Sequence, residues 1–321
     1  MNSTIRLASI DVGSNTVKLL LADWNGEEFF PLQEQGRQTR LGSAVFLGNR
    51  GLSDPHVQET IESLREFVAI ARSAGAKEIL IFATSAVREW SEAEGFQERV
   101  QRATGLSLKI LSPEEEAQWA YYGVSSLRRF REAAKWVIDI GGGTVECSYG
   151  QGERLLRWQS LPFGAVRLLQ QRQGKEVADP AEFDRIVESL TRSFRGVLPE
   201  EPYLGVSFDL VATGGTAVVL GAIHWLGSHP AKGAGKELGK RLDAYLIRRG
   251  EIQRVLHWIV GLPCGERRRV AGLPSERADV FPFGVAVLLA LMGLWKKETL
   301  WITRRGIRFG ALRVLAQRLW G

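Results

Sequence analysis

Apolar positions along this chain follow two periods. Runs in which nearly every residue is apolar or β-branched, at 7–12, 78–83, 136–140 and 208–212, predict buried strands. Val57, Ile61, Leu64 and Val68 instead recur at helical spacing behind Asp54-Pro55, a cap and first-turn signal, and that pattern runs to Gly75. Residues 16–24 and 29–33 read as strands joined by the Asn25-Gly26 hairpin signal. A helix over 91–103 ending at Gly105, a strand over 106–111, and a helix opened by the capping box Ser112-Pro113-Glu114-Glu115 follow. From 136 the order begins again, with strands at 136–140, 145–149 and 155–161 and a helix from Asp179-Pro180 to near Gly196. The remainder reads as mainly helical, with 283–295 a buried helix and 231–239 a flexible Gly/Lys-rich loop.

This alternation predicts an α/β fold with mixed sheets, and the repeated opening points to an internal duplication. A length of 321 residues exceeds what one core usually sustains. The expected domains are 1–127 and 128–321, the last helix being a candidate to pack back on the first domain.

Three strands run straight into turns of glycine and hydroxyl residues. Asp11 precedes Gly13-Ser14-Asn15, Asp139 precedes Gly141-Gly142-Gly143-Thr144, and the third turn is Thr213-Gly214-Gly215-Thr216. Such turns present backbone N–H groups to an anion, because glycine lets the main chain approach closely. The first two add a carboxylate suited to a metal accompanying a phosphate, whereas the third has donors and no acid. Ser14, Asn15, Thr144 and Thr216 can donate to a phosphate or stabilise their own turns. Lys18 either faces the phosphate or is a solvated strand lysine. Arg88, after a strand and a small-residue turn, is either a phosphate fork or a surface arginine paired with a glutamate.

Composition narrows the partners only slightly. The net charge of +6 and pI near 9.5 favour polyanions. No aromatic-basic module of a nucleic-acid reader is present, so no nucleic-acid partner is expected. Cys147 and Cys264 are too few for a disulfide framework and read as buried, inert thiols of a reducing compartment. With no secretory leader and no apolar run long enough to span a bilayer, the expected location is cytoplasmic and off the membrane. The four histidines have no metal-ligand spacing and read as structural.

In order along the chain stand Asp11-x-Gly-Ser-Asn15, Ala83-Thr-Ser-Ala-Val-Arg88, Ser112-Pro-Glu-Glu-Glu-Ala117, Asp139-Ile-Gly-Gly-Gly143 with Glu146, Gly214-Gly-Thr216, Gly272-Leu-Pro274 with Arg277-Ala-Asp279, and Gly306-Ile-Arg308. Together they resemble the exopolyphosphatase and guanosine pentaphosphate phosphohydrolase (Ppx/GppA) family over nearly the whole chain. The resemblance implies two duplicated ribonuclease H-like domains of the actin, hexokinase and Hsp70-like superfamily enclosing an interdomain cleft. It also implies hydrolysis of the terminal phosphate of inorganic polyphosphate or of guanosine pentaphosphate with Mg²⁺ or Mn²⁺, and possible homodimerisation. Asp139 and Glu146, with Asp11 nearby, would serve the metal. Gly13, Ser14, Asn15, Lys18, Arg88, Gly141, Gly142, Gly143, Thr144, Gly214, Gly215 and Thr216 would meet the phosphates. The family position of the general base is Glu116. Independently, Glu116 shares a face with Ala120 and Gly123, a stripe of small residues that another backbone can approach, predicting a glycine turn beside its carboxylate. Dipole stabilisation by acids in a first turn explains Glu114 and Glu115 without catalysis.

Val145 stands where the family usually has a hydroxyl residue, Lys18 where arginine or histidine is common, Gln118 where arginine often follows, and Phe309 where a glutamate often follows Gly-x-Arg. Two other readings stay open: an ATP-using kinase or ATPase of the same superfamily, which would use the same strand-turn cradle, and, motivated by these departures, a catalytically weak polyphosphate- or alarmone-binding regulator. The basic clusters tilt the substrate toward polyphosphate.

Overall fold

A computed structural model describes residues 4–42, 51, 54–172, 179–199, 207–229 and 236–320. Its first half runs β1 (Ile5–Val12), β2 (Thr16–Trp24), β3 (Phe29–Gln38), α1 (Pro55–Ser73), β4 (Glu78–Ala83), α2 (Ser85–Arg88), α3 (Ala93–Thr104), β5 (Leu108–Ile110) and α4 (Pro113–Ser125). The second half runs β6 (Ala134–Ile140), β7 (Val145–Gln151), β8 (Arg154–Leu161), α5 (Ala165–Gln171), α6 (Pro180–Arg195), β9 (Asp209–Thr213) and α7 (Gly214–Ser228). It continues with α8 (Lys236–Arg241), β10 (Tyr245–Arg248), α9 (Arg249–Gly261), α10 (Cys264–Arg267), α11 (Phe281–Leu294), β11 (Thr299–Ile302) and α12 (Ile307–Trp320). These elements form two compact units, Met1–Arg128 with Arg305–Gly321 and Arg129–Arg304.

The first unit is a five-stranded sheet in the order β3-β2-β1-β4-β5. Strands β1, β2 and β3 pair antiparallel, while β4 and β5 join in parallel. Alternation along β1 decides its two faces: Ala8, Ile10 and Val12 pack with Val57 and Leu64 of α1 and Phe96 of α3, while Leu7 packs with Phe309 and Leu312 of α12. Helix α1 starts where Asp54 accepts a bond from the His56 N–H at 2.9 Å, and α4 starts on the capping box of Ser112 with Glu115. Helices α4 and α12 meet backbone to backbone. A Cβ on Gly310 would lie 1.9 Å from the Trp119 carbonyl oxygen, and one on Gly123 would lie 2.0 Å from that of Gly306. The small stripe on α4 thus receives the bend before α12 and not a phosphate turn.

In the second unit the sheet order is β10-β11-β9-β6-β7-β8. Antiparallel β6-β7-β8 followed by parallel β9 and β11 repeats the first sheet, with β10 added at the far edge. This is the duplicated α/β architecture expected from the sequence. Every residue of α11 except Gly293 is buried, as befits a helix apolar all round. Lys135 is also fully buried, donating to the Gly152 carbonyl at 2.6 Å, and burial pushes its ammonium down to about 8.

Several expectations need correction. Strands β10 and β11 fall in the stretch read as helical; at four residues each they are too short to show a period. Strand β3 continues five residues past 33, from Glu34 to Gln38, on four polar residues and Gly36, because pairing with β2 sustains it. Residues 236–241 are helical, whereas 231–235 of the expected loop lie outside the described residues. Cys147 is buried, but Cys264 is only half-buried.

Candidate functional site

The duplication is visible bond by bond at the first two turns. The Gly13 N–H donates to the Thr16 carbonyl at 3.2 Å, and the Gly141 N–H to the Thr144 carbonyl at 2.9 Å. Asp11 and Asp139 thereby become equivalent, as do Lys18 and Glu146, their register partners across β1-β2 and β6-β7.

Each turn has its carbonyls tied back by the segment after the third strand. Gly42 donates to the Ser14 carbonyl at 2.6 Å, and Thr39 and Arg40 to that of Asn15 at 3.1 Å each. In the second unit Ala165 donates to Gly141, Val166 and Arg167 to Gly142, and Gly164 to Gly143, at 3.0 to 3.1 Å. With the oxygens held on one side, the N–H groups of Gly142, Gly143 and Thr144 meet no acceptor among the described residues. Unmade backbone donors of this kind are what an anion completes.

The two turns differ in charge. Asp11 is buried beside a lysine and an arginine: burial raises its carboxyl above the usual range, and the Lys18 and Arg308 charges oppose that rise. Arg308 also donates to Glu34 at 2.9 Å and to the Leu19 carbonyl at 3.2 Å, tying α12 to β2 and β3. Asp139 has an acid for a neighbour instead. Glu146, only 4% exposed, accepts a bond from the Ser160 hydroxyl at 2.9 Å, and Ser160 is its register partner on β8. On the other side of Asp139 in the same row stands Thr213, whose buried hydroxyl has no hydrogen-bond partner. Thr213, Asp139, Glu146 and Ser160 thus form a line of oxygen side chains on one face of the sheet. Asp11, with cationic neighbours, is the least suited of the three expected metal acids.

The third turn lies against this row. Gly214 has φ +83°, and a Cβ there would sit 2.3 Å from Asp139 Oδ1. A Cβ on Gly215 would sit 1.8 Å from an Arg277 guanidinium nitrogen. Burial lowers the Arg277 pKa from its ordinary value, and the neighbouring Glu276 opposes that shift. The Thr216 side chain packs against Gly284 of α11, so it is the backbone of Thr216 that remains at the start of α7.

In the first unit, Arg88 at the end of α2 forms an ion pair with Glu116 Oε1 and donates to the Leu111 carbonyl at 2.6 Å. Glu116 is 4% exposed. Arg88 thus has a glutamate partner, but its side chain is mostly buried and that partner is the candidate base. Ser160, Thr213, Arg277 and Arg308 were not among the candidate residues. The first two follow from counting register outward from Asp139; Arg277 and Arg308 stand in motifs that carry the resemblance, but the motifs name no partners for them, because their contacts depend on distant packing.

Among the described residues no helix is long and apolar enough to cross a membrane. A family model described as the Ppx/GppA phosphatase family matches residues 21–318. Exopolyphosphatase 1 of Mycobacterium tuberculosis is 30% identical over 313 residues, 94% of this chain and 87% of that protein. The counterpart in Mycobacterium leprae is 28% identical over 310 residues, 94% of this chain and 88% of its own. Among solved structures, the Aquifex aeolicus member of the Ppx/GppA family is 27% identical with a TM-score of 0.82 over 99% of both chains. An exopolyphosphatase from Cytophaga hutchinsonii, 21% identical, has a TM-score of 0.80 over 98% of both, a likeness of fold.

Proposed function

The chain belongs to the Ppx/GppA phosphatase family, and from that premise we propose that it hydrolyses the terminal phosphoanhydride of inorganic polyphosphate, with guanosine pentaphosphate as the second candidate substrate. The single observation that carries the reading is the pair of duplicated turns whose carbonyls are held back while the N–H groups of Ser14 and Asn15, and of Gly142, Gly143 and Thr144, meet no acceptor among the described residues. Phosphoryl transfer asks a protein mainly for position and for neutralisation of oxygen charge, and this is what such turns supply.

In the proposed reaction a water attacks the terminal phosphorus, Glu116 accepts its proton, and the bridging oxygen leaves with the shortened chain as orthophosphate is released. Arg88 has five N–H donors, enough to keep Glu116 oriented and still reach a phosphate oxygen. Ser14, Asn15 and Lys18 in the first unit, and Gly142, Gly143, Thr144, Gly214, Gly215 and the Thr216 N–H in the second, would hold phosphates, joined by Arg277, while Gly13 and Gly141, whose N–H groups are donated within their turns, would shape the cradles.

Asp139, Glu146 and the unpartnered Thr213 hydroxyl are an oxygen-only donor set, which fits a hard divalent cation. Among the described residues no group of three or more His, Cys, Asp or Glu stands ready to hold a metal. Mg²⁺ or Mn²⁺ would accordingly take its remaining ligands from phosphate oxygens and water, as Mg²⁺ prefers. Bound there, it would offset charge on the transferring phosphoryl group.

Phosphate release from long-chain polyphosphate, guanosine pentaphosphate and ATP, measured with Mg²⁺ for wild type and Glu116→Gln, tests the reading. Turnover of polyphosphate that collapses in the variant supports it. Preferred turnover of ATP favours the kinase or ATPase alternative, and binding without hydrolysis the regulator.

A further inference from the structure

We propose that Ser160 is a positioning residue that orients the Glu146 carboxylate for its cation; the proposal rests on the metal role given above to Asp139 and Glu146. Its hydroxyl donates to Glu146 Oε1 at 2.9 Å from the adjacent strand. Glu146 is 4% exposed, so the orientation of its carboxylate depends on protein partners more than on water. A neutral donor fixes one oxygen without cancelling the negative charge that attracts a cation. The other buried glutamate contrasts with it: Glu116, the candidate base, is held by the cationic Arg88.

The duplication supplies an internal control. Across β1, β2 and β3 the row equivalent to Asp139, Glu146 and Ser160 reads Asp11, Lys18 and Gly36. Where the second residue of the row is a lysine, the third position carries no side chain; where it is a carboxylate, the third carries a hydroxyl. Backbone pairing is the same in both rows, so the sheet itself does not call for a serine. The hydroxyl accompanies the acid.

The test is Mn²⁺ binding to the substrate-free protein, by electron paramagnetic resonance, for wild type, Ser160→Ala, Ser160→Thr, Glu146→Gln and the Ser160→Ala/Glu146→Gln double variant. Ser160→Ala is expected to weaken Mn²⁺ by about 10- to 100-fold, the usual effect of losing a group that orients a metal ligand. Ser160→Thr, which keeps the hydroxyl, should bind as wild type does. In the Glu146→Gln background the alanine should add nothing, because the group it orients is gone. In phosphate release, Ser160→Ala should need more Mg²⁺ yet reach the wild-type rate at saturation, a split that general destabilisation does not produce. Wild-type Mn²⁺ affinity in Ser160→Ala, beside weak binding in Glu146→Gln, overturns the role of Ser160 and leaves the metal reading standing. An undiminished effect of the alanine in the Glu146→Gln background overturns it too. Mn²⁺ affinity that is immeasurable in wild type or unaltered by Glu146→Gln removes the metal reading and this proposal with it.

Discussion

Adding one methyl group at Gly164 should damage phosphate handling far more than stability. A Cβ there would lie 2.4 Å from the carbonyl carbon and oxygen of Gly142 and from the carbonyl carbon of Gly143, where ordinary contact begins at 3.4 Å. The second phosphate turn must therefore recede by about 1 Å, since its backbone has no flexible end to swing aside. Gly164 has φ −63° and ψ 154°, which alanine adopts freely, so the effect is steric alone. Overpacking of this kind costs about 1–3 kcal/mol of stability. A displacement of about 1 Å in a substrate-holding group costs on the order of 100-fold in rate. Thermal unfolding and kcat/KM for polyphosphate of Gly164→Ala, beside Gly227→Ala as a control with nothing within 4 Å of its Cβ, separate the two effects. The control should keep full activity and unfold at or above the wild-type temperature, since alanine favours the helical conformation of the last turn in which Gly227 lies. Wild-type kcat/KM in Gly164→Ala would show that the turn absorbs the methyl without consequence for substrate, and a loss no larger than its unfolded fraction would leave only the stability effect.

Three further outcomes are expected. Gly214→Ala meets both a left-handed φ and the Asp139 carboxylate; it should lose about 1–2 kcal/mol in thermal unfolding and require more Mg²⁺ for phosphate release. Lys135 is held down to about 8 against its ordinary 10.5, so between those values the unfolded chain binds the extra proton and stability rises with pH. Denaturant titrations from pH 8 to 10.5 should show a slope in wild type of up to about 1.4 kcal/mol per pH unit that Lys135→Met lacks. Raising salt should weaken polyphosphate binding more steeply than guanosine pentaphosphate binding, because the longer anion meets more basic residues; equal slopes in a binding titration would count against extended contact.

Much of the fold was legible because its signals are local. Asp54-Pro55 and the Ser112 capping box mark helix starts that the structure reproduces, and the turns after Asp11 and Asp139 announce their own strands. Strands β10 and β11 were not legible, since both are held by pairing with each other and, for β11, with β9. At the site the same division holds. Asp139 was legible as the acid before its turn, and Glu146 came with the resemblance; two strands and a tight turn then make them register partners. The pairing of Arg88 with Glu116 was not legible, since it joins residues 28 apart through the packing of α2 and α4. Gly123 shows how a correct pattern leads to the wrong partner: small residues do admit a backbone, but the pattern does not say that it belongs to Gly306.

The proposed role of Glu116 as the base that activates water is tested by phosphate release from polyphosphate in oxygen-18-labelled water, with substrate affinity measured alongside, for wild type and Glu116→Gln. One labelled oxygen is expected in each orthophosphate released, with turnover lowered by about 10²- to 10⁴-fold in the variant and affinity close to wild type; label incorporated into the shortened chain, or an undiminished rate in Glu116→Gln, overturns that role.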